Sequence, residues 1–145
     1  MAFSIEKTYD GRGLFEENCI SSGTLTSGEL VALTKGASKP TATACAATAK
    51  PDAIVVQGGL TGTACTFVRI LPGDIMTAPA LAADGTTALS AAEITALKAL
   101  VGSQAQRLAT GSLAMDCVTE AGGKMELISF DEANLKVRVR FTIAS

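Results

Sequence analysis

From Leu135 to Ile143 the chain alternates apolar and polar residues without a break. Leu135, Val137, Val139, Phe141 and Ile143 share one face, and Lys136, Arg138, Arg140 and Thr142 share the other. Successive side chains of a strand point to opposite faces, so this period fits a half-buried β-strand and excludes an amphipathic helix. Met125 to Phe130 reads as a second strand, and Asp131-Glu132-Ala133-Asn134 joins the two as a hairpin loop. Lys136, Arg138 and Arg140 then form the solvent face of a strand, which is also a candidate surface for an acidic partner.

The same grammar runs upstream. Short apolar runs recur about every ten residues between turn residues. Glu29–Leu33 is entered through Ser27-Gly28 and left through Lys35-Gly36, and Ala53–Val56 lies between Pro51-Asp52 and Gly58-Gly59. Ala64–Leu71 lies between Gly62 and Pro72-Gly73, and Thr41–Thr48 is a weaker Ala/Thr strand. Residues 74–89 read as a linker rich in Ala, Pro and Thr. Ser90 and Glu93 then form an S-x-x-E capping box ahead of Ile94, Leu97, Leu100 and Val101, which share one helical face. The helix is expected over 91–102, with a continuation to Gly111 as the other option. Beyond it, Leu113 and Met115 alternate with Ala114 and Asp116. The expected fold is mainly β with one helix, a small β-sandwich or β-barrel of antiparallel strands. It occupies residues 19–145 as a single domain and follows an N-terminal arm, residues 1–18.

That arm holds Phe3, Ile5, Tyr9, Leu14 and Phe15, with three of the chain's six aromatic residues. Two readings are open: the arm folds back on its own core, or it packs on a neighbouring subunit or host surface, since aromatics are enriched at interfaces.

Composition removes most chemistry. The chain has no His, so a His-based triad, metal site or pH switch is excluded. Net charge is -2 and no run of Lys or Arg exists, which argues against nucleic-acid binding through phosphate neutralisation. No apolar tract approaches the ~20 residues of a membrane span. The N-terminal MAFSIEKTYDG lacks a secretory h-region, so the chain is expected to be made in the cytoplasm. Cys19, Cys45, Cys65 and Cys117 contain no CxxC pair; free, mostly buried thiols are expected, with one of three disulfide pairings in an extracellular particle as the alternative. Gly58-Gly59-Leu60-Thr61-Gly62 precedes a strand and lacks the Lys of a phosphate loop, so it reads as a turn. Glu16-Glu17 and Asp131-Glu132 are not spaced as a catalytic carboxylate pair. No catalytic, cofactor or metal residues are therefore nominated. Ala, Gly, Ser and Thr make up nearly half the chain. Apolar contacts with other subunits can supply the stability that such a thin core lacks; the composition permits a protein-binding structural role without requiring one, and that role is the expectation left.

One family resemblance bears on that role. Gly23-Thr24-Leu25-Thr26-Ser27-Gly28-Glu29-Leu30-Val31-Ala32-Leu33, then Ala53-Ile54-Val55-Val56, Gly59 and Gly62, Phe67-Val68-Arg69-Ile70 and Pro72-Gly73 are similar in order to tailed-phage head decoration, or capsid cement, proteins. The resemblance covers about residues 20–76 and leaves out the helix and the closing strands. It implies a non-enzymatic virion protein on the outer capsid surface, bound to the major capsid protein and clamping adjacent subunits, as a homo-oligomer and most readily a trimer. By the same analogy, the arm reaches a neighbour or the shell. The alternatives are a head-completion or tail-associated virion protein, or a non-viral β-rich protein-binding module.

Overall fold

The computed structural model describes residues 2–8, 11, 13–46, 48–82, 84–103, 107–109, 114–116 and 123–141. In chain order the strands are β1 (Ser4–Lys7), β2 (Glu16–Ser21), β3 (Leu30–Thr34), β4 (Thr41–Ala44), β5 (Ala53–Gln57), β6 (Ala64–Arg69) and β7 (Ile75–Leu81). Helix α1 (Ala91–Ala99) follows, then β8 (Arg107–Leu108), β9 (Met115–Asp116), β10 (Met125–Asp131) and β11 (Lys136–Phe141). Strands β2-β4-β3-β5-β6 form a closed barrel. The others form a second sheet in the order β10-β11-β7-β9-β8, with β1 also paired to β7. The expected β-rich fold with one helix is present as a barrel plus a sheet. Two pairings, β2–β4 and β7–β9, are parallel.

Both faces of the barrel strands are used. Ala53, Val55, Cys65 and Phe67 point into the barrel with Cys19, Leu25, Val31 and Ala42. The alternate residues Ile54, Val68 and Ile70, with Leu30, pack outward into a second core. There they meet Met76, Ala78, Ala80, Met125, Leu127, Val137 and Val139 of the sheet and Leu97 of α1. A strand stretch buried on both faces reads as a continuous apolar run, which is why Ala53-Ile54-Val55 and Phe67-Val68 show no alternation. The last strand, half buried, does: Val137 and Val139 are buried while Lys136, Arg138 and Arg140 face outward. The assignments of Thr142 and Ile143 to faces, and of Phe141's side chain, lie outside the described residues.

Several expectations need correction. The segment read as a linker contains β7, the strand that joins the whole second sheet. Its Ala78-Pro79-Ala80 centre has little bulk and an imino acid, so it carries no strand signature. Pro79 is tolerated because its nitrogen meets no partner strand. Ala80 N–H donates to Leu135 O on the β11 side, so by alternation the Pro79 nitrogen faces the other edge. There β1 pairs only with Ile75–Thr77, and β9 begins at Ala80.

The helix has its full capping box, with Glu93 N–H donating to Ser90 Oγ and Ser90 N–H to Glu93 Oε1. It ends at Ala99, earlier than 102, and Gly102 adopts φ 100°, which turns the chain away. Val101 is therefore exposed, while Ile94, Leu97 and Leu100 pack on the core. The optional continuation to Gly111 is ruled out by β8 at Arg107–Leu108. Ala114, Met115 and Asp116 are all buried, so the alternation expected there does not sort them between core and solvent; Leu113 lies outside the described residues. The Ala/Thr strand stops at Ala44. The hairpin loop also shifts by one residue: Asp131 pairs with Lys136, and Leu135 turns at φ 51° instead of facing the core from a strand.

Cys19 and Cys65 are disulfide-bonded, not free thiols. They lie directly opposite each other in the antiparallel β2–β6 register, with Cα atoms 5.3 Å apart. Only Cys45 of the described cysteines keeps a buried thiol; Cys117 lies outside the described residues.

Candidate interaction surface

The arm divides into an anchored part and an exposed part. Phe3 is buried in the core between barrel and sheet, and its N–H donates to Gly28 O at 3.0 Å. Gly28 makes this approach feasible: a Cβ there would lie 2.2 Å from the Ala2 Cβ, and its φ is +86°. Ile5, in β1, is half-buried against the same core. Tyr9 lies outside the described residues. Leu14 and Phe15, by contrast, are solvent-exposed, Phe15 at 78%. The boundary expected at residue 18 falls within β2, a barrel strand.

Leu14 and Phe15 stand at one end of the barrel. Glu16 pairs with Val68, so the residues that lead into β2 run beside those that leave β6, where Leu71 is also exposed. Phe67 is buried in the barrel interior. Over its ring, 5.5 Å from the centroid, lies the Arg69 guanidinium, whose Nε also donates to Glu17 Oε2 at 3.0 Å. Exposed apolar side chains thus lie near a guanidinium held by Phe67 and Glu17. Aromatic and Arg side chains are the types enriched at interface centres. The opposite end of the same ribbon carries Leu60, 69% exposed at the tip of the Gly58–Gly62 turn, and the exposed Val56.

The basic strand face is paired across its sheet. Arg138 meets Glu6 of β1 through Nη2–Oε1 at 2.8 Å and Nε–Oε2 at 3.1 Å. Arg140 meets Glu126 of β10 through Nε at 2.8 Å and Nη2 at 3.2 Å, and this carboxylate holds the guanidinium above its ordinary pKa. Lys136 stands opposite Asp131. The Asp131 carboxyl is held below its usual value first by the Asn134 side chain and more weakly by Lys136. The face is thus nearly charge-balanced, not a free cationic patch. A shallow groove of about 290 Å³ crosses it, lined by Glu6, Thr77, Phe130, Lys136 and Arg138 among others.

Three acids tie the backbone, Glu29 and Asp74 buried and Asp52 half-buried. Glu29 accepts from Thr26 N–H, Asp52 from Leu33 N–H and Asp74 from Leu71 N–H. Among the described residues no group of three or more His, Cys, Asp or Glu could hold a metal ion, and no helix is long and apolar enough to cross a membrane.

The sequence left the arm open between folding back on its core and facing a partner; of the described residues, Phe3 and Ile5 fold back and Leu14 and Phe15 reach the open surface. The exposed Leu71, Leu60 and Val56 were not among the candidates. Leu60 had a visible signal, an apolar residue at the tip of a Gly-rich turn. Leu71 and Val56 had none, because each continues an apolar strand run.

No protein-family model and no curated sequence matches the chain. Among solved structures, it is similar to the N base of head fiber gp8.5 in bacteriophage phi29, with a TM-score of 0.58 at 9% sequence identity. The match covers 90% of this chain and 95% of that one, so the likeness is one of fold over the whole barrel-and-sheet unit.

Proposed function

We propose that this chain is a structural protein of a phage virion that docks on the outer surface of the head and stabilises it by bridging major capsid subunits. The observation that carries the reading is the whole-length fold likeness to a head-fiber base. The decoration-protein resemblance of residues 20–76 points to the same class from the sequence side. The docking surface in this reading is the barrel rim of Leu14, Phe15 and Leu71 around Arg69, with the paired strand face as a secondary contact. Many copies each make a modest contact, and capsid symmetry multiplies it. Copies associate with one another as well, most simply as trimers.

A second reading is favoured by the same neighbour: the unit serves as the base of a head appendage, using the same rim to seat on the shell.

The test is co-sedimentation of the purified chain with heads that lack it. Saturable binding is expected, with Phe15→Asp losing at least about tenfold in affinity, the scale of a hot-spot residue. Absence of binding by the unaltered chain overturns the proposal. Undiminished binding by F15D moves the docking surface elsewhere.

A further inference from the structure

We propose that Cys19 and Cys65 form a redox lock on barrel closure, made in the already folded chain and opened or closed only when β2 lifts. The inference is independent of the virion reading.

Strand β2 is what closes the barrel. It joins β6 through five residue pairs, Glu16↔Val68 to Ile20↔Ala64, but joins β4 through only two, Ile20↔Thr41 and Ser21↔Ala42. Cys19↔Cys65 lies within the five-pair seam, and 46 residues separate the two positions. That span contains β3, β4 and β5 whole, so the bond turns the barrel into one covalent ring. With the bond in place the β2–β6 seam cannot part, and β2 can separate only from β4.

Folding does not depend on the bond for its geometry. The ladder sets the two Cα atoms 5.3 Å apart, within the usual range for a disulfide. The barrel interior is filled by Phe67, Leu25, Val31 and Val55, among which a reduced Cys is simply a small apolar side chain. Both sulfur-bearing residues are buried inside the barrel. A soluble thiol or disulfide therefore reaches them only through a local opening, and the two-pair β2–β4 seam, the shorter of the two that hold β2, is where β2 can lift. Cys45 sits in the other core cluster. Burial, and secondarily Asp52, push its thiol up to about 11, so it is a poor nucleophile for scrambling the pair.

The chemistry balances with a small-molecule disulfide as oxidant. One Cys thiolate attacks it and expels a thiol, forming a mixed disulfide. The second Cys thiolate displaces the second thiol, closing the Cys19–Cys65 bond. The two cysteine protons end on the two released thiols, and the reverse sequence with a dithiol reopens the lock.

The experiment uses the full chain, reduced or oxidised, with dithiothreitol and oxidised glutathione as probes and alkylation followed by mass spectrometry as the readout. Three results are expected. The reduced chain keeps its β-structure by circular dichroism, while its unfolding constant rises roughly 30- to 1,000-fold. The oxidised chain gives up its two sulfurs to dithiothreitol more than about 100-fold more slowly in native buffer than in denaturant. The reduced, folded chain re-forms the intramolecular bond with oxidised glutathione while Cys45 stays unmodified. A reduced chain without β-structure, equal reduction rates with and without denaturant, or failure to re-form the bond each overturns the proposal. Cys19→Ala/Cys65→Ala is expected to behave as the reduced chain; if that variant does not fold, the comparison of reduced and oxidised wild type still decides.

Discussion

The Arg138 guanidinium on β11 grips the Glu6 carboxylate on β1 across the strand that separates them, with contacts of 2.8 Å and 3.1 Å. Thr77 of β7 lies between, paired to Arg138 on one side and to Ser4 on the other, and the Ser4 and Thr77 hydroxyls meet at 2.7 Å. One end of the chain is thereby tied to the other over β7. The pair is partly exposed, so a double-mutant cycle with Glu6→Gln and Arg138→Gln should give a coupling of about 0.3–1 kcal/mol. Chemical denaturation at low and high salt checks it, and the coupling should shrink in salt.

Phe3 and Phe15 share one polar lead-in and have opposite fates. Phe3 is buried among Leu30, Met76 and their neighbours, so Phe3→Ala should cost about 3–5 kcal/mol. Phe15 is 78% exposed, so Phe15→Ala should change stability by less than about 0.5 kcal/mol. Urea unfolding of the two variants separates an anchor from a surface residue.

Two glycines of the β5–β6 turn are needed for different reasons. A Cβ on Gly58 would lie 2.0 Å from the Leu25 carbonyl oxygen, whereas Gly62 has open space but a φ of +79°. Leu25 and Gly59 exchange backbone hydrogen bonds of 2.9 Å and 3.2 Å beside this contact. Gly58→Ala should therefore cost about 1–3 kcal/mol through forced displacement. Gly62→Ala should cost about 1–2 kcal/mol through backbone conformation. Asn tolerates the left-handed region, so Gly62→Asn should recover most of the loss, while Gly58→Asn should not. Thermal melts of the four variants test the distinction.

Burial raises the Glu29 carboxyl above its ordinary value of 4.5, partly opposed by the Thr26 N–H that it accepts. The folded state then holds this proton more tightly than the unfolded state. Its stabilising contribution is full below the ordinary value and is lost as pH rises through the folded value. Glu29→Gln keeps an acceptor for Thr26 and removes the charge. Unfolding curves across pH should show wild type losing stability relative to Glu29→Gln as pH rises from acid to neutral, with the difference constant above the folded value.

The strands that announced themselves were those whose pattern one physical cause explains. Val137 and Val139 alternate with cations because one face is wet, and Ala53-Ile54-Val55 is continuous because both faces are buried. The Ser90 cap was legible because its hydrogen bonds are local. What stayed hidden is long-range. Ala78-Pro79-Ala80 is a strand only because β11 on one edge and β9, from Ala80, on the other supply its partners. Cys19 and Cys65 meet through a register that no spacing encodes. Among the candidate contacts, Phe3 and Phe15 look alike in sequence; the space left by Gly28 beside Ala2 draws in the first and leaves the second on the rim.

The most direct test of a head-surface role is a copy count of this chain in purified phage particles by quantitative mass spectrometry, referenced to the major capsid protein. A copy number of the same order as the capsid subunits, lost from isolated tails and retained on heads, is expected. A count of a few copies per particle, a location on tails, or absence from particles that are otherwise complete would contradict it.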